Sequence, residues 1–564
     1  MSIDERIAEL ERLLGDPTDP ANPVGAAEIL AADERAELVA AGTRILDDFG
    51  LKAEVVPVAQ GGRFGRADHL IEIMRSVYRR DPALGLGYLS GPMISAANVW
   101  TAGSLAQRRR LADLLLANGR VAAAYHELDH GNDIGAMEFA ARPAGERLVL
   151  RGRKEVVANL RWADAVLFLA RTDPAPGRRS HTQLYVELDE VDRGRWTYLP
   201  RYRSVGMRGV DLGGVDIDDC EVDAGAVLGR PGMGMEVAGK AFQFTRIALP
   251  AMCTGILDTG IRTALDHVRT RTLYGRGVDQ IPMVRTTIAN AFVDLLVCEA
   301  VAQVAARALH LLPRAGSVYA PAVKYLLSGL LLDSMRQLTL VMGAEAYRRD
   351  GPHAIFEKLA RDLKPVGFGH FARAACLTSV VAQLPLLARR GWRGDDPAHP
   401  ELVDVSARLA PLDFAALSIS TGGQDPVAGS LNSGPERLPA DTPPVLRQLV
   451  RDNSVSLRSL VDACGAIAPA DLGITAGAAT LDLARTYVAL LAAAACTETW
   501  LRRRPAGGFL ADRSWITAAL VRLAAFASRR TEDFPADVEE ALFAELRHRH
   551  DHGLSFGLSA RAYR

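Results

Sequence analysis

The sequence predicts an α+β protein with helical blocks on either side of a β-rich middle. Apolar residues recur at three- and four-residue intervals before residue 120 and after residue 235. Between them, short β-type runs alternate with Gly, Pro, Asp and Arg turns over 121–232. At 564 residues the chain is too long for one hydrophobic core. The expected order is a helical domain (1–120), a middle antiparallel β domain (121–232), a four-helix bundle (233–392), a linker (393–443) and a further helical region (444–564).

In the first block the spacing predicts helices at Asp4 to Leu14, Ala32 to Asp48, Ala67 to Tyr78 and Leu105 to Ala117. Gly61-Gly62-Arg63-Phe64-Gly65 interrupts them as a loop. Strands are expected at Ala122 to Tyr125, Arg147 to Arg151, Ala165 to Ala170, Gln183 to Leu188, Trp196 to Leu199 and Val215 to Cys220, arranged as an antiparallel barrel or sandwich. One long helix is predicted from Met235 to Thr272, closed by Arg271-Thr272-Leu273-Tyr274-Gly275. Helices at Met283 to Leu312, Ala320 to Met342 and Ala354 to Leu387 complete a bundle. Arg393-Gly394-Asp395-Asp396-Pro397 and the Gly, Ser and Pro-rich run from Ser420 to Pro444 read as linker or surface loop. The tail carries helical segments at Thr475 to Arg504, Ser514 to Arg530 and Ala536 to His550.

A formal charge of -1 gives no overall pull toward nucleic acid or membrane. Met1-Ser2-Ile3-Asp4-Glu5-Arg6 does not resemble a secretory signal. The most apolar short run, Tyr487 to Cys496, falls well below the roughly 18 residues of a membrane span. A cytoplasmic protein is therefore expected. The six cysteines are scattered without a Cys-x-x-Cys pair, which argues against a zinc site or redox dithiol and for buried small hydrophobes. His548-Arg549-His550-Asp551-His552 reads as a solvated helix end, and Gly229 to Gly234 as a connecting loop.

Several motifs, taken in order, resemble the acyl-CoA dehydrogenase family over residues 20 to 390. Val56-Pro57-Val58-Ala59-Gln60-Gly61-Gly62 looks like the family's VP…GG loop, and Glu127-Leu128-Asp129-His130-Gly131-Asn132-Asp133 like its TEP-x-x-GSD turn. Gly152-Arg153-Lys154 followed by Asn159 resembles the G-x-K-x-W-I-T-N strand. Gly206-Met207-Arg208-Gly209 and the Leu228 to Gly234 loop resemble the exit from the β domain. Phe242-Gln243-Phe244-Thr245-Arg246 and Arg271 to Gly275 are similar to the two ends of the first bundle helix. Gly343-Ala344-Glu345-Ala346-Tyr347 looks like GG-x-GY, and Arg361-Asp362 like RD. The tail is similar in kind to the extra helices of very-long-chain dehydrogenases and acyl-CoA oxidases.

The resemblance implies FAD, coupling of α-proton removal from an acyl thioester to hydride transfer from the β-carbon. It assigns the flavin to Tyr125, His126, Gly131, Asn132, Val157, Ala158, Arg271, Tyr274, Leu340, Gly343 and Ala344, several through backbone groups. Arg271 would reach the FAD pyrophosphate of a neighbouring subunit, or is an ordinary solvated arginine. Neither family position for the catalytic glutamate holds a carboxylate: one is His370, the other Thr245, beside Arg246. A neutral imidazole can take a proton near its ordinary pKa of about 6.5, so His370 is the candidate base, with a packing role as the alternative. His126, Asn132, Val156, Ala158 and Leu340 replace the usual threonine, serine, tryptophan, threonine and glutamine. The implied partners are an acyl-CoA or acyl-carrier-protein thioester and an electron-transferring flavoprotein or oxygen as acceptor, in a homodimer or homotetramer. Alternatives on the same fold are a flavin-dependent monooxygenase and a non-redox thioester-binding protein.

Overall fold

The computed structural model describes residues 1–394, 398–530 and 533–562. Asp395, Asp396 and Pro397 of the expected linker lie outside the described residues. The chain forms two compact units, Met1–Thr245 with Pro411–Ile419, and Arg246–Ala410 with Ser420–Arg564.

The first unit opens with α1 (Ile3–Leu14), whose start is fixed by a capping box between Ser2 and Glu5. The single helix expected over Ala32 to Asp48 is instead the end of α2 (Ala26–Glu34) and α3 (Ala40–Phe49). Between them the chain turns at Ala36, whose φ of 56° no helix accommodates. α4 (Ala67–Arg80), α5 (Pro82–Ala102) and α6 (Leu105–Leu116) follow. Sequence periodicity misses α5 because it is buried on most faces and so carries no polar stripe, although Asp81 caps it and Pro82 begins it.

Seven strands, β1 (Val121–Ala124), β2 (Ala140–Ala144), β3 (Arg147–Ala158), β4 (Ala165–Arg171), β5 (His181–Glu187), β6 (Trp196–Leu199) and β7 (Leu212–Asp223), form one sheet. Its order is β1-β4-β2-β3-β7-β6, with β5 also on β4. The sheet is mixed rather than antiparallel throughout, since β1 runs parallel to β4 and β2 meets β4 in parallel. Phe139, Phe168 and Trp196 fill its core, with ring centroids 5.2 and 5.9 Å apart along the row. Strand β7 crosses β3 so closely that a Cβ on Gly214 would lie 2.4 Å from the Lys154 carbonyl oxygen.

The predicted helix from Met235 to Thr272 is two helices, α7 (Gly234–Met252) and α8 (Thr254–Thr270). Pro250 lies within the last turn of α7, and the helix breaks three residues later at Cys253. A hairpin of β8 (Thr272–Leu273) and β9 (Arg276–Gly277) follows, turning through Tyr274 and Gly275 at φ 54° and 75°.

The second unit continues with α9 (Pro282–Leu311) and α10 (Gly316–Met342). The expected fourth long helix, Ala354 to Leu387, is α11 (Ile355–Asp362), α12 (Arg373–Val381) and α13 (Leu384–Arg390). Between the first two, Pro365 and Gly367 fall in a 3₁₀ turn, Lys364–Gly367, that interrupts the α-helix. The one-turn α14 (Pro426–Gly429) lies in the expected linker, which is packed. Buried Asp425 accepts hydrogen bonds from Tyr319 Oη at 2.7 Å, Trp392 Nε1 at 2.8 Å and the Ala428 amide at 3.1 Å.

α15 (Pro444–Gly465), α16 (Ala478–Arg503), α17 (Arg513–Ser528) and α18 (Ala536–Asp551) complete the same unit. The histidine-rich end of α18 is more than a solvated terminus: Arg549 is buried and donates to the Phe556 and Gly557 carbonyls, and His550 Nε2 lies 2.7 Å from Asp266. Pro282–Leu311 and Ala478–Ala506 are long and apolar enough to cross a membrane, contrary to the short-run reading. Their apolar windows are 89% and 61% buried, as in core helices of a soluble protein. All six cysteines are buried.

Candidate functional site

In the first unit the residues assigned to a flavin cluster on two segments joined by a buried ion pair. Glu127 accepts from the Glu138 amide at 2.8 Å, the Phe139 amide at 3.0 Å and Lys154 Nζ at 2.8 Å. Lys154 also donates to the Tyr125 carbonyl at 2.9 Å, tying the turn to β3. Burial pulls the Lys154 ammonium down to about 8 despite its partner. Burial opposes ionisation of Glu127 too, but the Lys154 charge and the two amides hold its carboxyl below the ordinary value.

His126 bridges antiparallel to Val156; burial lowers its pKa, and the nearby Gly131 backbone opposes that effect. Gly131 turns at φ 53° and faces open space, with no atom within 4 Å of where a Cβ would stand. Asn132 is exposed next to it. Tyr125 is buried 5.1 Å from the Phe242 ring, and its hydroxyl has no hydrogen-bond partner among the described residues. On β3, Val157 is buried, and Ala158 packs, as do Leu38 and Leu86, against the cluster of Ala83, Met207 and Val210. Thr245, fully buried, is the last residue of this unit before Pro411–Ile419, and Arg246 opens the second.

In the second unit, His370 lies between α11 and α12 on a turn that few side chains favour. His370 and Phe371 have φ of 52° and 90°. Left-handed conformations at non-glycine residues cost on the order of 1–3 kcal/mol each and persist where surrounding contacts impose them. Those contacts come from α10 and α7. Ser328 Oγ donates to the Val366 carbonyl at 2.8 Å, and Lys324 Nζ, one helical turn earlier, donates to the Gly369 carbonyl at 3.1 Å. The Arg246 guanidinium stands 4.1 Å from the Phe371 ring centroid, a cation–π contact. Arg373 Nε closes the other side on the Tyr325 carbonyl at 2.8 Å.

Lys324 is almost fully buried, and burial pulls its ammonium down to about 8. Burial also lowers Arg246 and raises the thiols of Cys253 and Cys376, which share this environment. Sequence reading did not single out Lys324 or Ser328. The available signal was a lone cation inside the apolar run Ala322-Val323-Lys324-Tyr325-Leu326.

Lys324→Met is expected to raise stability by about 1–3 kcal/mol at pH 7.5, because an apolar isostere replaces a buried charge. The wild-type pKa of about 8 lies below the ordinary 10.5, so the unfolded chain binds more protons between these values. Wild-type stability therefore rises with pH across that window, and the variant's advantage shrinks. Urea titrations at pH 7.5 and 10 measure this; a difference that does not vary with pH would contradict it.

The remaining predicted residues of the second unit lie apart from His370 in sequence and structure elements. Arg271 and Tyr274 belong to the β8–β9 hairpin and are exposed, Tyr274 at 93%. Leu340, 69% exposed, ends α10, and Gly343 and Ala344 form the following 3₁₀ turn, with Gly343 at φ 58° and open space around it.

Residues 232–369, which contain Arg246, Lys324 and the hairpin and end one residue before His370, match the model of the acyl-CoA dehydrogenase C-terminal domain. Over these residues the chain is similar to the acyl-CoA dehydrogenase family. It is 24% identical to mitochondrial isovaleryl-CoA dehydrogenase of Pongo abelii over 257 residues, 45% of this chain and 60% of that protein. The match thus spans about three-fifths of the relative's length. Among solved structures, the prolyl acyl carrier protein oxidase AnaB superposes with a TM-score of 0.60 at 17% identity, covering 67% of this chain and 97% of AnaB. The FAD complex of PigA gives 0.60 at 16% identity, covering 68% and 97%. These likenesses bear out the α+β acyl-CoA dehydrogenase fold.

Proposed function

We propose that this protein is a flavin-dependent oxidoreductase that forms an α,β-double bond in an acyl thioester carried by CoA or an acyl-carrier protein. The observation that supports this reading is the strained turn at His370, held by α10 and α7; the sequence resemblance assigns His370 the place of the family's catalytic glutamate. Its imidazole takes the α-proton. The half-buried Arg246 and the buried Lys324 favour the negative charge that then develops on the acyl group. When bound, a flavin would supply the hydride acceptor for the β-carbon.

The residues of this chain fit such a group at the open glycine turn of Gly131 and at the buried hydroxyl of Tyr125, which has no hydrogen-bond partner among the described residues. Tyr125, His126, Gly131, Asn132, Val157 and Ala158 of the first unit would hold it. Arg271, Tyr274, Leu340, Gly343 and Ala344 would act from a homodimer or homotetramer. Electrons would leave to an electron-transferring flavoprotein or to oxygen, in the cytoplasm.

One observation favours a second reading, a flavin-free thioester-binding protein: the Ala158 methyl sits in an apolar cluster where the family places a threonine hydroxyl. The visible absorption of the purified protein separates the two. Flavin bands that bleach anaerobically with one member of an acyl-CoA panel are expected. A colourless protein that FAD does not reconstitute would overturn the first reading in favour of the second.

A further inference from the structure

A cavity of about 820 Å³ opens within the first unit between α3, α5, the start of β1 and the segments around 158–162 and 201–211. It meets the residues assigned to a flavin only at Ala158. Its size is that of a small-molecule cleft. The walls are largely apolar, with Leu38, Pro92, Val121 and Ala158, and the indole of Trp162 stands at the edge, 60% exposed.

Charge on the lining is unbalanced. Five cations (Arg44, Lys52, Arg120, Arg161, Arg201) face three carboxylates (Glu37, Asp47, Asp211). The carboxylates and Lys52 are already engaged. Lys52 Nζ is buried, donates to the Asn118 carbonyl at 2.7 Å and Asp47 at 3.3 Å, and lies 4.5 Å from the Tyr88 ring centroid. Tyr88 Oη donates to the same Asp47 carboxylate at 2.6 Å. Arg161 and Arg201 both approach Asp211 at 3.9 Å and donate to the carbonyls of Leu199 and Val210. Glu37 pairs with Arg35 at 3.0 Å. Arg44 and Arg120 are left at the rim, their guanidinium groups without an ion pair among the described residues. Planar guanidinium groups bind oxyanions through paired hydrogen bonds.

We propose that this cavity binds an amphipathic oxyanion, a carboxylate or phosphate monoester on an apolar body, with its charged end on Arg44 and Arg120 and its body against Leu38, Pro92 and Ala158. Trp162 reports the occupant, because Trp100, Trp196, Trp392, Trp500 and Trp515 are all buried.

Octanoate, octyl phosphate and the uncharged octanamide, titrated into the full chain by tryptophan fluorescence and calorimetry, test the proposal. At least one anion is expected to bind saturably and at least about ten-fold more tightly than octanamide, the discrimination a charge-assisted pair provides. The anion that binds names the source chemistry. The Arg44→Ala/Arg120→Ala double variant is expected to lose about ten-fold for the anion and nothing for octanamide, whereas Arg336→Ala, on an exposed site of the second unit, changes neither. Octanamide binding as tightly as the anions, an unchanged double variant, or no saturable signal by either method would overturn the proposal. Loss at His370→Ala with no loss at the double variant would also overturn it, by placing the ligand at the acyl site.

Discussion

His370→Ala is expected to slow substrate-dependent flavin reduction by about 10²–10⁴-fold, the usual contribution of a positioned general base. The loss should fall on the chemical step rather than on binding, so flavin content and thioester affinity remain close to wild type. The reason is local. Phe371 stays against Arg246, and the Gly369 carbonyl stays on Lys324, because neither contact uses the imidazole. Stopped-flow absorption with the reducing thioester measures the effect. A loss under about five-fold would assign His370 to packing, since it would lie far below the range of general-base effects.

Glu127→Gln is the second large effect, and it bears on the frame rather than on proton transfer. The amide cannot meet Lys154 Nζ and the amides of Glu138 and Phe139 all as an acceptor, so it leaves a fully buried ammonium without its counter-charge. Breaking such a pair costs about 3–5 kcal/mol. Without Glu127, burial acts on Lys154 unopposed by its largest favourable partner, so its folded-state pKa falls further below about 8. The unfolded chain then holds more protons than the folded variant over a wider range, and the deficit narrows as pH rises toward about 8. Lys154→Met in the same chain should recover most of the loss, which a double-mutant cycle in urea would register. A loss below about 1 kcal/mol in the single variant would show that the pair is not what fixes the turn, because it would fall far short of the cost of an uncompensated buried charge.

How much of this was legible in the sequence follows from which elements face solvent on one side. α6 and α16 to α18 have a wet face or a clear cap, and α4, though largely buried, carries charged residues among its apolar ones; periodicity located all of them within a few residues. α5 has neither an apolar stripe nor a polar face and went unseen. Breaks after Pro250 and around Pro365 were written in the chain, but the apolar pattern on both sides suggested continuous helices. The parallel pairing of β1 with β4 depends on residues 44 positions apart, as between Val121 and Ala165, which no local pattern encodes. At the candidate site, motif order pointed to His370 and the Gly131 turn, whereas Lys324 and Ser328 came to notice only when α10 was seen against the carbonyls of residues 366 and 369.

Exchange of the acyl α-protons with solvent deuterium tests the central assignment most directly, because it follows proton removal without depending on the later electron acceptor. Incubation of a panel of acyl-CoAs with the protein in D₂O, followed by NMR at the α-carbon, should give protein-dependent exchange with at least one thioester and its loss in His370→Ala. Equal exchange in the two proteins, or none with any acyl-CoA or carrier-linked thioester, would contradict the assignment of His370 as the base.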